Sequence, residues 1–190
     1  AQVRSQIRIT NQFLANDSLM YHPDNHALPY RLKMADRDPN GDPTTGIVYV
    51  NGVAEFGADY AQYGIHTAQP YPGEMGSVSP YTLAAHDIGW DTDPDGAKYL
   101  NVYVVNKIHG QWESSGIQGF AYMPTTSPVY GSYVLFNVFG TNLFGDDYNL
   151  KFSKQKGMVF THELYHNFGI HHVFRNTMTC DETDCEVQGD

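Results

Sequence analysis

The apolar residues of this chain change period along its length, and the changes mark its elements. In VRSQIRITNQFLA (3–15), Val3, Ile7, Phe13 and Leu14 recur at roughly helical spacing, which predicts an N-terminal helix. LPYRLKMA (28–35) alternates apolar and polar positions like a half-buried strand, and GIVYVNG (46–52) reads as another strand after a turn-rich loop. Residues 64–98 carry Pro70, Pro72, Gly73, Gly76, Pro80, Pro94 and Gly96 and are expected to be mostly loop. YLNVYVVN (99–106) is a β-branched and aromatic run suited to a central strand buried on both faces. IQGFAYMP (117–124) is a shorter strand stopped by a proline, and SYVLFNVFG (132–140) is a third candidate. KGMVFTHELYHNF (156–168) is a helix with Phe160, Leu164 and Phe168 as an apolar stripe and His162 and His166 on another face. A helix, a series of strands and a late helix predict a mixed α/β sheet with few helices.

That last helix carries the chemistry. His162 and His166 stand one helical turn apart, so their imidazoles stack on one face and can reach one metal at ~2.0–2.1 Å. Glu163 does not bind metal in such a pattern; it accepts a proton from the water the metal activates. A catalytic zinc needs a third ligand and an open fourth position. Gly169, three residues after His166, can take φ > 0 and end the helix, and His172 then returns to the metal. The string HELYHNFGIHH (162–172) is therefore H-E-x-x-H-x-x-G-x-x-H, with ligands His162, His166 and His172 and Glu163 as general base. His171 has no role in the pattern. His22, His26, His66, His86 and His109 sit in loop-like contexts without ligand spacing.

Composition narrows the remaining classes. With 190 residues, 41% hydrophobic and 14% aromatic, the chain is long enough for one domain with a substantial core. A net charge of −10 repels phosphate backbones and argues against a nucleic-acid partner. No apolar run approaches the roughly 20 residues of a membrane-spanning helix. The chain begins at Ala1 without an initiating Met or signal peptide and reads as a processed or excised piece. Cys180 and Cys185 can pair with each other or with partners past Asp190. DRDPNGD (36–42) and DTDPDG (91–96) begin like calcium loops, but Ile47 and Val102 stand where an EF-hand has its glutamate. Both are read as Asx and Pro-Gly turns, with a calcium site of another type as the alternative.

The extended motif resembles that of the metzincin metallopeptidases, and HHVF (171–174) after the glycine resembles the pappalysin and cytophagalysin type. RLKMADRDPNGDPTTGIVYV (31–50) is similar to the DPxGxPTTGI block of these enzymes. GWDTDPDGAKYLNVYVVN (89–106), GFAYMP (119–124) and TCDETDCEVQGD (179–190) are similar to their tryptophan-led strand, their GYAxFP segment and their cysteine-containing loop. The resemblance implies a zincin-like α/β fold: a twisted mixed sheet with an antiparallel edge strand, an N-terminal helix and an active-site helix. Residues 1–169 would form the N-terminal subdomain and 170–190 the start of a C-terminal one, most of it lacking or supplied by a separate chain. The edge strand, about Ile117–Met123, would hold an extended peptide substrate through Gly119, Phe120, Ala121 and Tyr122. The implied protein is a secreted bacterial zinc endopeptidase with one catalytic Zn2+, a structural Ca2+ about residues 179–190, and a protein or peptide substrate. A binding or scaffolding module that keeps the zinc site without turnover is the rival from another class. Two departures stand out: Met178 lies only six residues past His172 and reads as loop instead of the family's methionine turn, and Tyr165 occupies a position where the family usually has glycine.

Overall fold

The computed structural model describes residues 2–17, 23, 26–66, 78–85, 89–90, 99–109, 117–124, 129–136, 139 and 157–172. Helix α1 (Gln2–Leu14) comes first, followed by two short helices, α2 (Gly52–Phe56) and α3 (Ala58–Tyr63). Then come β1 (Ile65–His66), α4 (Pro80–Ala85), β2 (Val102–Val105), β3 (Ile108–His109), β4 (Gly119–Ala121), β5 (Ser132–Leu135) and α5 (Met158–Asn167). Strands β1 and β3 pair in parallel. The larger sheet has the order β2-β5-β4, with β2 parallel and β4 antiparallel to β5. The fold is thus mixed α/β.

The helix expected near the N-terminus and the helix bearing the histidines both form, within a residue or two of their expected ends. Strands also form inside 99–106, 117–124 and 132–140. Their order departs from expectation. The central strand is β5, whereas β2 has one described neighbour, and its residues alternate between buried Tyr103 and Val105 and exposed Val104. The apolar run in β2 reflected β-propensity and did not require burial on both faces.

Leu28–Ala35 and 46–52 are not strands. The Leu32 N–H donates to the Asn11 side-chain oxygen at 2.7 Å, and the Asn11 amide donates to the Leu32 carbonyl at 2.9 Å. One asparagine on α1 thereby supplies the pair of bonds a neighbouring strand would have made. Val48, Tyr49 and Val50 are exposed, Tyr49 by 90%, so their β-propensity finds no sheet edge among the described residues. Residues 64–98 hold β1 and α4 as well as loop. His66 and His109 lie in the paired strands β1 and β3, not in loops, with ring centroids 5.7 Å apart. Of 36–42, Asp38 accepts from the Asn40 and Asp42 N–H groups, which is the Asx turn expected there.

Side chains alternate across the sheet and divide the core in two. Tyr103, Val105 and Tyr133 face one cluster with Ile65, Val78, Leu83 and Ile108. Val134 faces the other, with Phe139 and Phe160, flanked by Val3, Ile7, Leu32, Val102 and Val159. Helices α1 and α5 therefore cover one face of the sheet, and α5 packs against β4, β5 and α1. This places the histidine helix beside antiparallel β4, an edge strand among the described residues.

Candidate metal centre and active site

Helix α5 buries Phe160, Thr161, Glu163, Leu164 and Asn167. The expected stripe of Phe160, Leu164 and Phe168 is corrected at its last member. At 3.6 residues per turn, position 167 returns to within about 20° of position 160, while position 168 is about 80° away. Accordingly Asn167 is 1% exposed and Phe168 is 38% exposed.

The helix stops as the glycine predicts. Gly169 has φ +87°, its N–H donates to the His166 carbonyl at 2.9 Å, and the Ile170 N–H donates to the Tyr165 carbonyl at 3.0 Å. These are the two bonds of a Schellman motif, with glycine at the left-handed position. The turn does two further things. It brings His172 back against the helix, and it aims the Ile170 carbonyl at the Nδ1 of His166, 2.7 Å away. A carbonyl only accepts, so Nδ1 carries the proton and the Nε2 of His166 presents its lone pair.

The Nε2 atoms of His162, His166 and His172 form a triangle with sides of 2.8, 3.0 and 3.2 Å. In a neutral imidazole each Nε2 is either a donor or an acceptor, never both. Three such atoms cannot pair around an odd ring: at least one side must set like against like. A cation resolves the conflict, because all three can then present lone pairs to it. Tetrahedral coordination at ~2.0–2.1 Å would space the nitrogens by about 3.3 Å, close to the sides observed. Of the described residues, these three form the group able to hold a metal, and the donor set suits zinc. Burial lowers the pKa of His162, and the neighbouring His166 and His172 lower it further, all favouring the neutral ligand form.

Glu163, one residue round the helix from His162, points inward and is buried. Burial pushes its carboxyl up to about 7. It lies against Gly119 of β4: a Cβ there would stand 3.1 Å from the Glu163 Cγ and Oε1 and 2.9 Å from the Val159 Cγ1. The edge strand can approach the carboxylate because this position has no side chain.

The sequence motif of peptidase family M43, described as pregnancy-associated plasma protein-A, matches residues 85–190, which is more than half of the chain and includes all three histidines. The chain belongs to this family. It is a pappalysin-like metzincin by that match. Residues 31–50, similar to a family block, lie outside the matched region. Among solved structures, mirolysin in complex with compound 9 superposes with a TM-score of 0.59 at 18% identity, covering 93% of this chain and 58% of that one. At that identity the likeness establishes the zincin fold, and the M43 chain spans 58% of the length of that neighbour. No curated protein sequence matches.

Of the residues singled out in the sequence, His162, His166, His172, Glu163, Gly119, Phe120, Ala121 and Tyr122 are all described; α5 packs against β4, His172 returns to the helix from the turn after it, and Tyr122 just past β4 bonds to Asn167. Cys180, Cys185, Met178 and the expected calcium-binding stretch at 179–190 lie outside the described residues, as does 91–96. Asn167 and its partners Ser132 and Tyr130 were missed. The available signal was a polar residue seven positions after Phe160, on the buried stripe.

Proposed function

We propose that this chain is a zinc-dependent endopeptidase. The observation that carries the reading is the triangle of three imidazole nitrogens on and just after a helix whose Glu163 is buried. Family membership supports the same class of reaction. His162, His166 and His172 would hold the zinc, which when bound supplies Lewis acidity to a water and to the scissile carbonyl. Glu163 takes a proton from the attacking water and delivers it to the leaving amine nitrogen. Water is the nucleophile, so no acyl-enzyme forms. The burial that raises the Glu163 carboxyl makes it a competent acceptor near neutrality.

Strand β4 is the proposed substrate rail. Bonds from the Leu135 N–H to the Gln118 carbonyl and from the Tyr122 N–H to the Gly131 carbonyl fix which residues face β5. By antiparallel alternation Phe120 also faces β5, and the N–H and C=O groups of Gly119 and Ala121 point away from it. A peptide added as a further strand would bond to Gly119 and Ala121. The rings of Phe120 and Tyr122 pack against Tyr133 and would support this rail from behind. A secreted location, a structural calcium and a Cys180–Cys185 disulfide accompany the reading on the strength of the family resemblance. Calcium-dependent thermal stability and the mass of the alkylated, unreduced chain would check the last two.

The test is hydrolysis of casein by the zinc-loaded chain and by Glu163→Ala. The expected result is cleavage by the parent, loss of at least a hundredfold in the variant, and unchanged zinc content. Equal rates of cleavage would remove Glu163 from the reaction, whereas zinc bound by both with no cleavage by either would favour a non-catalytic binding module.

A further inference from the structure

Asn167 follows the second histidine and belongs to no part of the motif. Its amide nitrogen donates to the Tyr122 carbonyl at 2.9 Å and to the Gly131 carbonyl at 3.1 Å, and its side-chain oxygen accepts from the Ser132 hydroxyl. Its main-chain carbonyl, which the helix end would leave unpaired, accepts from the Tyr130 hydroxyl at 2.8 Å. One residue of the metal-binding helix is thus bonded to the end of β4 and to the start of β5.

These bonds fall at the end of the β4–β5 ladder. The last rung between the edge strand and β5 is the bond from the Tyr122 N–H to the Gly131 carbonyl, long at 3.3 Å. Two residues later Pro124, which has no N–H, stands where another rung would form. The Asn167 amide bridges the carbonyls on both sides of that rung. The end of the proposed substrate rail is therefore fastened to the helix as firmly as to its neighbouring strand. On the other side of the same helical turn, His166 is held by the Ile170 carbonyl and by its place in the imidazole triangle. A cation that draws the three imidazoles together would stiffen this turn, and Asn167 is the residue through which the stiffening reaches β4.

We propose that Asn167 is a positioning residue that couples metal occupancy of the histidine site to the order of the edge strand, so that the rail is fully formed only in the metal-loaded protein. The proposal rests on the metal-site reading but not on turnover. It differs from a structural role in a specific way. A structural asparagine would lower stability and leave the folded, zinc-loaded molecules unchanged. A coupling asparagine leaves zinc bound and detaches the strand from it.

Hydrogen exchange over residues 117–124, with and without zinc, tests this in the parent, in Asn167→Asp and in Ser132→Ala. Asn167→Asp keeps the shape and the acceptor for Ser132 but removes the donor to Tyr122 and Gly131. Ser132→Ala keeps that donor. In the parent, zinc is expected to slow exchange of this segment about tenfold, about the effect of one or two hydrogen bonds. Asn167→Asp should bind zinc and show no such slowing; Ser132→Ala should keep it. In peptide hydrolysis, Asn167→Asp should raise KM about tenfold with kcat within about twofold, since the Glu163 contacts with Gly119 are untouched. Zinc-dependent protection that survives in Asn167→Asp, or is missing from the parent, overturns the proposal. If Asn167→Asp does not fold, Asn167→Ala combined with Ser132→Ala removes the bridge without burying a charge or orphaning the serine, and the same zinc-dependent difference decides. A parent that binds zinc without cutting peptides would refute the peptidase reading and leave the exchange result readable.

Discussion

Both faces of the β2-β5-β4 sheet bury apolar side chains, but only one adds a chain of buried polar bonds. On one face Tyr103, Tyr133 and Phe120, one from each strand and level with one another, form a stack of rings with centroids 4.7 and 4.6 Å apart and interplanar angles of 10° and 3°. Burial pushes the Tyr103 hydroxyl up to about 12, as expected of a dry setting. On the other face, between the sheet, α1 and α5, buried polar side chains run in a chain. Gln6 donates to the Gly157 carbonyl and to Thr10, and Thr10 bonds Thr161, all at 3.0–3.1 Å. Asn167 continues the pattern toward β4. Among the described residues no buried side-chain polar atom lacks a partner. Apolar burial is non-directional and fixes that a helix packs; hydrogen bonds fix how it is turned. The face that carries the histidines is the one aligned by directional bonds.

The comparison yields four tests, from the largest expected effect to the smallest. Truncating the centre of the ring stack, Tyr133→Ala, should cost about 3–5 kcal/mol in urea unfolding. The residual folded fraction should keep its zinc affinity, and a loss of zinc binding from folded molecules would erase the distinction between the faces.

The second test is pH. Glu163 prefers its proton in the folded state, with a pKa of about 7 against the ordinary 4.5. The stability this confers is present below about pH 4.5 and is lost as pH rises through 7, a swing of about 3 kcal/mol in the metal-free chain. His162, pushed down by burial and its neighbouring histidines, works in the opposite direction. The difference in urea midpoint between parent and Glu163→Gln, taken at pH 5 and pH 8, therefore isolates the carboxyl. Zinc, a positive charge nearby, should shrink that difference.

Third, Gly119→Ala places a methyl against the Glu163 carboxyl. Turnover should fall about a hundredfold, because displacing the proposed base would misalign it for proton transfer. Stability should fall by only about 1–3 kcal/mol, the usual cost of overpacking. Steady-state kinetics beside urea unfolding separates the two, and an unaltered kcat/KM would show that the strand does not confine the carboxyl. Last, Thr161→Val breaks the polar chain between α1 and α5 and should cost about 1–2 kcal/mol, read as a lowered unfolding midpoint.

The legible parts of the site share one property: each depends on neighbours within a turn or two of chain. His162 and His166 meet because they are four apart on a helix, and His172 joins them because Gly169 can adopt φ +87°. Strand propensity was legible too, but 28–35 and 46–52 show its limit. Both have strand-like sequences, and neither forms a ladder: Asn11 takes the Leu32 backbone groups, and Val48–Val50 face solvent. The short helices α2 and α3 passed unnoticed because their apolar residues, Val53, Phe56, Tyr60 and Tyr63, are too few to show a period.

By itself, then, the sequence determined the three-histidine set proposed to hold the metal, the helix that presents it beside Glu163 and the turn that closes it, because helix period and glycine backbone freedom act over neighbouring residues. Only the tertiary structure decided that β5, and not β2, is central, that Gly119 faces Glu163, and that Asn167 spans from the helix to Tyr122, Gly131 and Ser132. The relations of Gly119 and Asn167 join residues 35 to 45 positions apart in the chain. They depend on which strands become neighbours, and that is settled by the packing of the whole sheet against its two helices.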